Sequence, residues 1–296
     1  MARAGEGVEN ADFSGCCQVI FNLATSGGGR TDEICKIAAC TEMGQFRSYI
    51  MPLNGIPPMI TNVNGLRVMD GELYENDKKV DTDPAETAIT KFLDFLDTQR
   101  QSRPVILVAH KAHEFHGPRI LRLVTDLGMM EEFQSRVAGF ACTLLLFQTE
   151  FPERDSHALK NIAEGIPGFN WEAKAAYYAT RMEELLMEVI RYYGIENNIT
   201  NYTESAEAAS TKLKTDDRKA SLEEIRTLNK KQLSPPTRGK MAEAGIGYQD
   251  LVEAYRSGSD DGVLQLLQDV GLRRDVKNKI LEHLRVSVPR TPQPIE

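Results

Sequence analysis

The run PVILVAH, Pro104 to His110, most narrows what this chain can fold into. An unbroken apolar strand has no polar face to turn to water, so other elements must cover it on both sides. That calls for an α/β architecture with helices on each face of a sheet. The neighbouring text supplies them. DPAETAITKFLDFLDTQR, ahead of the run, places Ala88, Phe92, Phe95 and Leu96 on one helical face, and GPRILRLVTDLGM, after it, turns Ile120, Leu121 and Val124 inward.

Two further runs, residues 16–23 and 33–40, read as strands, and Gly27, Gly28 and Gly29 between them supply the permissive backbone of a hairpin connection. A phosphate-cradling loop would need Lys-Ser/Thr and a helix after the glycines, and neither follows. FRSYIMP, Phe46 to Pro52, continues an antiparallel meander. The Gly-, Pro- and Asn-rich stretch after it predicts a long irregular excursion with a short hairpin at ENDKK. Val137 to Phe147 reads as a strand, although a buried helix shares its pattern, HALKNIAEGI reads as a helix, and NWEAKAAYYATRMEELLMEVIRYYG as one long amphipathic helix. The order βββαβαβαα predicts a mixed sheet that starts with three antiparallel strands and carries helices on both faces.

Asn201 to Ala220 turns polar and reads as a linker or a poorly packed helix. Ser221 and Glu224 have capping-box spacing ahead of a second, all-helical unit of sterile-alpha-motif size. Its core would come from Leu251, Tyr255, Leu264, Leu267, Val270, Ile280 and Leu284. The expected division is a flexible tail over 1–12, an α/β domain over 13–200, a linker over 201–220, a helical domain over 221–287 and a flexible tail over 288–296.

No window approaches the roughly 20 apolar residues of a membrane span, and the first fifteen residues lack a secretory apolar core, so a soluble protein of the cytoplasm or nucleus is expected. Five cysteines without a C-x-x-C pair read as small buried thiols of a reducing compartment. The net charge of −8 opposes wholesale attraction to nucleic acid but leaves room for a local basic groove. His110, His113 and His116 are three of the five histidines. Zinc prefers H-x₃₋₅-H, whereas these are spaced H-x₂-H, which favours structural histidines at a strand end over a metal site. Asp32 and Glu33 read as a solvated strand end, with metal contact as the sharper alternative.

VIFNLATSGGGRTDEICKIAA, TNVNGL and LVAHKAHEFHGPRIL, followed by an Ala-rich helix, resemble the 3′-5′ exonucleases of the DEDD type, and LVAHKAHEFHGPRIL looks like the second motif of the three-prime repair exonucleases. The resemblance covers about residues 16–193 and implies a ribonuclease H-like fold. Such enzymes hold two divalent ions with four carboxylates, because magnesium demands hard, charged oxygen ligands. Carried onto this sequence, those positions fall on Asn22, Ala24, His116 and, loosely, Tyr178 or Tyr177, and the general base falls near Ala173. None is acidic. A degenerate exonuclease domain followed by a helical domain resembles Exuperantia, an insect RNA-localisation factor. The text also resembles the C-terminal region of the longest promyelocytic leukaemia protein isoform.

The resemblance therefore implies a pseudonuclease with no cofactor and no metal. Asn62, Asn64, Gly65 and Leu66 match the exonuclease loop that meets a terminal nucleotide, and Lys111, Phe115, Arg119 and Tyr178 offer cations and aromatics near the centre. In the helical unit Lys230, Lys231, Arg238, Lys240, Arg273 and Arg274 are further cations, or simply a solvated face. Three functions stay open: binding of single-stranded nucleic acid, RNA favoured; a protein-interaction module, which would include a homodimer; and, only if the motif positions are misassigned, an active 3′-5′ exonuclease.

Overall fold

The structure, a computed structural model, describes residues 12–225 and 233–288. The expected tails, apart from Asp12 and Val288, and Lys230 and Lys231 lie outside these residues. Two compact units are present, residues 1–210 and 211–296.

In the first unit, strands β1 (Cys17–Thr25), β2 (Ile34–Cys40) and β3 (Gln45–Tyr49) form the antiparallel meander. After the apolar run, β7 (Val105–Ala109) pairs parallel to β1 and to β8 (Val137–Cys142). All five residues of β7 are buried, as two-sided coverage requires. With a short edge strand, β9 (Thr203–Ser205), the sheet order is β3-β2-β1-β7-β8-β9, a six-stranded mixed sheet flanked by helices, which is the ribonuclease H-like arrangement. α2 (Ala85–Arg100) buries Ala88, Phe92 and Leu96, with Phe92 against Phe46 of β3, while Phe95 is only half-buried. The other face is covered by α8 (Met182–Tyr193), whose Leu185, Leu186, Val189 and Ile190 pack with Ile20, Ile106 and Val108.

Four local expectations are corrected. The excursion after β3 is ordered: α1 (Pro58–Asn64) leads into a separate three-stranded sheet of β4 (Leu66–Met69), β5 (Glu72–Glu75) and β6 (Lys78–Lys79). Its β5–β6 hairpin falls at ENDKK, where Asn76 and Asp77 take positive φ. The strand beginning at Val137 stops at Cys142, and α5 (Thr143–Glu150) follows, since an apolar run alone does not separate a strand from a buried helix. The long helix is two: α7 (Trp171–Tyr178) and α8, parted where Arg181 leaves helical geometry. Residues 203–205 form β9 at the sheet edge, paired with β8, where no strand was expected, and of the two readings of the polar stretch, linker or helix, the helix is present as α9 (Ala206–Ser221).

The second unit contains α10 (Pro235–Glu243), α11 (Tyr248–Leu266) and α12 (Arg274–Ser287). Leu251, Tyr255, Leu267, Ile280 and Leu284 are buried in its core, Val270 packs against it, and Leu264 is exposed instead. Ser221 and Glu224 form no capping box. Helix α9 runs into Ser221, whose hydroxyl donates to the Arg218 carbonyl and accepts the Tyr248 N–H. No helix among the described residues is long and apolar enough to cross a membrane.

Candidate functional site

A cleft of about 780 Å³ opens beside the end of β1. Its floor is Asn22, Leu23, Ala24 and Thr25, and a β-bulge at Ala24/Thr25 turns the strand there. Gly27 and Gly28 of the β1–β2 connection form one wall, and α1 with Asn62 and Asn64 another. Ala175, Ala179 and Met182, around the α7–α8 break, close the far side together with Lys160 of α6 (Leu159–Ala163) and Trp171. Phe115 and His116 come from a π-helical turn, Ala112–His116, placed between β7 and α3 (Gly117–Asp126), and Lys111 caps its start.

That turn is a local departure with a visible backbone cause. Lys111 adopts φ 65°, a left-handed conformation uncommon for a residue with a Cβ, and the His116 N–H donates to the Lys111 carbonyl at 3.3 Å. The extra residue in the turn draws His116 inward. Its Nδ1 accepts the Leu23 N–H at 3.2 Å, so the imidazole ties the turn to β1. Burial, with the charges of His110, Arg119 and Lys111, pulls its pKa down to about 3. The ring is neutral, with Nδ1 as the acceptor.

Asn22 is half-buried, and its amide has no side-chain partner among the described residues. Asn64 donates to the Thr25 carbonyl at 3.0 Å and accepts the Leu66 N–H at 3.0 Å, fastening α1 to the end of β1. Gly65 caps α1 at φ 73°, and a Cβ there would meet Asn76 and Thr180. Asn62 is exposed on the cleft wall.

Three sequence-predicted residues stand elsewhere. Leu66 is fully buried in a small core with Leu73 and Ala24, because β4 folds it under its own sheet. Arg119 is buried, its guanidinium donating to the carbonyls of Gly28 (2.9 Å), Gly29 (2.5 Å) and Phe115 (3.0 Å) and lying 3.7 Å over the Phe115 ring. It holds the glycine connection that walls the cleft. Tyr178 is buried in the core and donates its hydroxyl to Glu188. One helical turn moves the cleft-facing positions to Ala175 and Ala179.

The remaining candidates are tied to protein partners. Asp32 accepts the Gly29 N–H at 2.5 Å, packing so close that Gly27 has no room for a Cβ, and Glu33 accepts the N–H groups of Leu53 and Asn54. His110 bonds to Thr143 and to the His157 carbonyl, and His113 to the Phe140 carbonyl. The three imidazoles thus face three sets of partners and do not converge. Among the described residues no three His, Cys, Asp or Glu side chains are grouped to hold a metal ion.

The residues present do not fit a pair of divalent ions. Asn22 offers an uncharged amide, Ala24 nothing, and His116 has its free lone pair engaged by Leu23. Among the described residues no Asp or Glu lines the cleft. Lys160, Trp171 and Asn76 line it and were not singled out in the sequence. Lys160 Nζ lies 5.6 Å from the Trp171 ring centre, a cation–π approach.

Beneath the wall lies a buried cation. Lys36, beside Ala24 in the β1–β2 ladder, is 2% exposed and donates to Glu75 at 2.7 Å and to the Thr180 carbonyl at 2.5 Å. That carbonyl is available because α7 and α8 part there. Burial lowers the Lys36 pKa and Glu75 opposes the change.

Fold and cleft together define an exonuclease-like domain of the ribonuclease H type whose cleft carries amides, aromatics and lysines. The chain belongs to the family described as the Exuperantia RNAse H-like domain, whose model matches residues 17–164. Maternal protein exuperantia of Drosophila virilis is 26% identical over 156 residues, 49% of this chain and 32% of that protein. Maternal protein exuperantia-2 of Drosophila pseudoobscura pseudoobscura is 24% identical over 184 residues, 54% of this chain and 38% of that protein. The match spans about a third of the length of these relatives. Among solved structures, exonuclease I in its apo form aligns with a TM-score of 0.43 at 10% identity, covering 91% of this chain and 70% of that one.

Proposed function

We propose that the first unit binds a single strand of nucleic acid without cutting it, as a pseudonuclease scaffold. One observation carries this reading: the cleft is lined by Lys111, Lys160, Phe115, Trp171 and four asparagines, with no carboxylate. Single-strand binding needs cations along a groove and aromatic faces for bases. Hydrolysis by two ions needs charged oxygen ligands, which this lining lacks. One face of Phe115 is covered by Arg119, so only its opposite side is open to a base. The resemblance to an RNA-localisation factor favours RNA over DNA.

The test compares short labelled single-stranded RNA, single-stranded DNA and duplex by fluorescence anisotropy. Single-stranded RNA is expected to bind best, and Trp171→Ala to weaken it by about 1–3 kcal/mol, the usual worth of one stacked base. With magnesium or manganese the strand should stay intact. Cutting that disappears in Asn22→Ala with His116→Gln would overturn the reading.

A second reading has its own observation. α1 buries no residue, and Met59 and Val63 are 74% and 71% exposed. If no nucleic acid binds at low salt, this apolar helix face supports a protein-interaction role, including a homodimer, which sedimentation of the pure protein would detect.

A further inference from the structure

We infer that Lys111 and Lys160 form a metal-independent phosphodiester clamp, each ammonium neutralising one phosphate of a strand laid in the cleft. This rests on the strand-binding reading above and adds how the backbone is held. Both lysines line the same cleft, one from the cap of the π-helical turn and one from α6. Lys111 is exposed, and no carboxylate pairs with it among the described residues. Among the described residues Lys160 has one carboxylate near it, Glu164, at 3.9 Å and beyond hydrogen-bond distance, with both side chains nearly half exposed, and its ammonium lies 5.6 Å from the Trp171 ring centre.

The backbone at Lys111 supports a positional demand. A left-handed residue is normally glycine, and strained conformations of this kind gather at ligand sites. Lys111 also contributes, behind burial, to the lowered proton affinity of both His110 and His116, so it stands close to both rings. Two other nearby cations are engaged within the fold: Lys36 is buried and paired with Glu75, and Arg119 is buried against the Gly28, Gly29 and Phe115 carbonyls. Where carboxylates and bridging divalent ions would hold a phosphate, this cleft presents two ammonium groups.

The test is anisotropy of a short fluorescein-labelled single-stranded RNA across a salt series, once in EDTA and once in magnesium chloride. Affinity in EDTA should equal or exceed that in magnesium, which acts only as a competing counterion. Two phosphate contacts predict a slope of log K against log salt of about −1.4, falling to about −0.7 in Lys111→Gly or Lys160→Ser. Lys111→Gly keeps the positive φ, so lost binding is not lost folding. Binding that requires magnesium, or slopes unchanged in both variants, overturns the clamp while leaving strand binding intact. Absence of binding by any form at low salt sinks both.

Discussion

His116 stands where the exonuclease pattern would place an acid, and its environment makes it a pH liability instead. Its pKa in the folded protein is about 3 and that of His110 about 4, against 6.5 for the free side chain, burial being the leading cause for both. A lowered folded pKa means that the unfolded chain takes up protons first. Stability is therefore complete above about pH 6.5 and falls as pH drops toward 4, by up to about 1.4 kcal/mol per pH unit for each ring. Glu183, whose pKa is raised by burial, works in the opposite sense just above 4.5 and offsets part of the loss. Urea unfolding from about pH 7 to about pH 5 should show the decline, with His116→Gln roughly halving its slope. A flat profile would contradict the assignment. At the same scale, Asn22→Asp with Ala24→Glu should weaken RNA binding in EDTA by about tenfold or more through repulsion of phosphate. Added magnesium should recover part of it, and unchanged affinity would mean that the strand does not pass over β1.

Among the elements, the break between α7 and α8 was the hardest to foresee. The partner of the freed backbone is tertiary: Lys36 takes the Thr180 carbonyl, and nothing in WEAKAAYYATRMEE announces a lysine arriving from β2. Lys36→Ala strands Glu75 beside Tyr49 in a buried setting and is expected to cost about 3–5 kcal/mol in chemical denaturation. Lys36→Met paired with Glu75→Gln should cost less than the two single changes added together. Central strands were legible because VILVA is apolar throughout and ICKIAAC is apolar but for Lys36. β9 was not, since TES is three polar-leaning residues whose pairing depends on the neighbouring edge of β8. Lys111 carries its own contrast: Lys111→Gly should leave stability unchanged or raise it by about 1 kcal/mol, because glycine holds that φ without strain.

Across the whole molecule, the non-acidic positions along β1 were legible and the rest of the cleft lining only partly so. Asn22, Ala24 and His116 stand in the cleft where motif spacing put them. Tyr178, Arg119 and Leu66 fail by a helical turn or by burial, which motif spacing does not encode. Lys160 and Trp171 come from separate segments brought together only by the fold; the sequence signal available was negative, the lack of acids in ITNVNG and in AKAAYYATRM. The second unit has a core of its own, and Ile280→Ala, at a fully buried position, should cost about 2–5 kcal/mol by far-ultraviolet circular dichroism. Trp171 is also the sole indole in the chain. The protein therefore carries its own lamp on the cleft wall: a base sliding against that ring would dim and shift its emission, reporting occupancy without any dye attached.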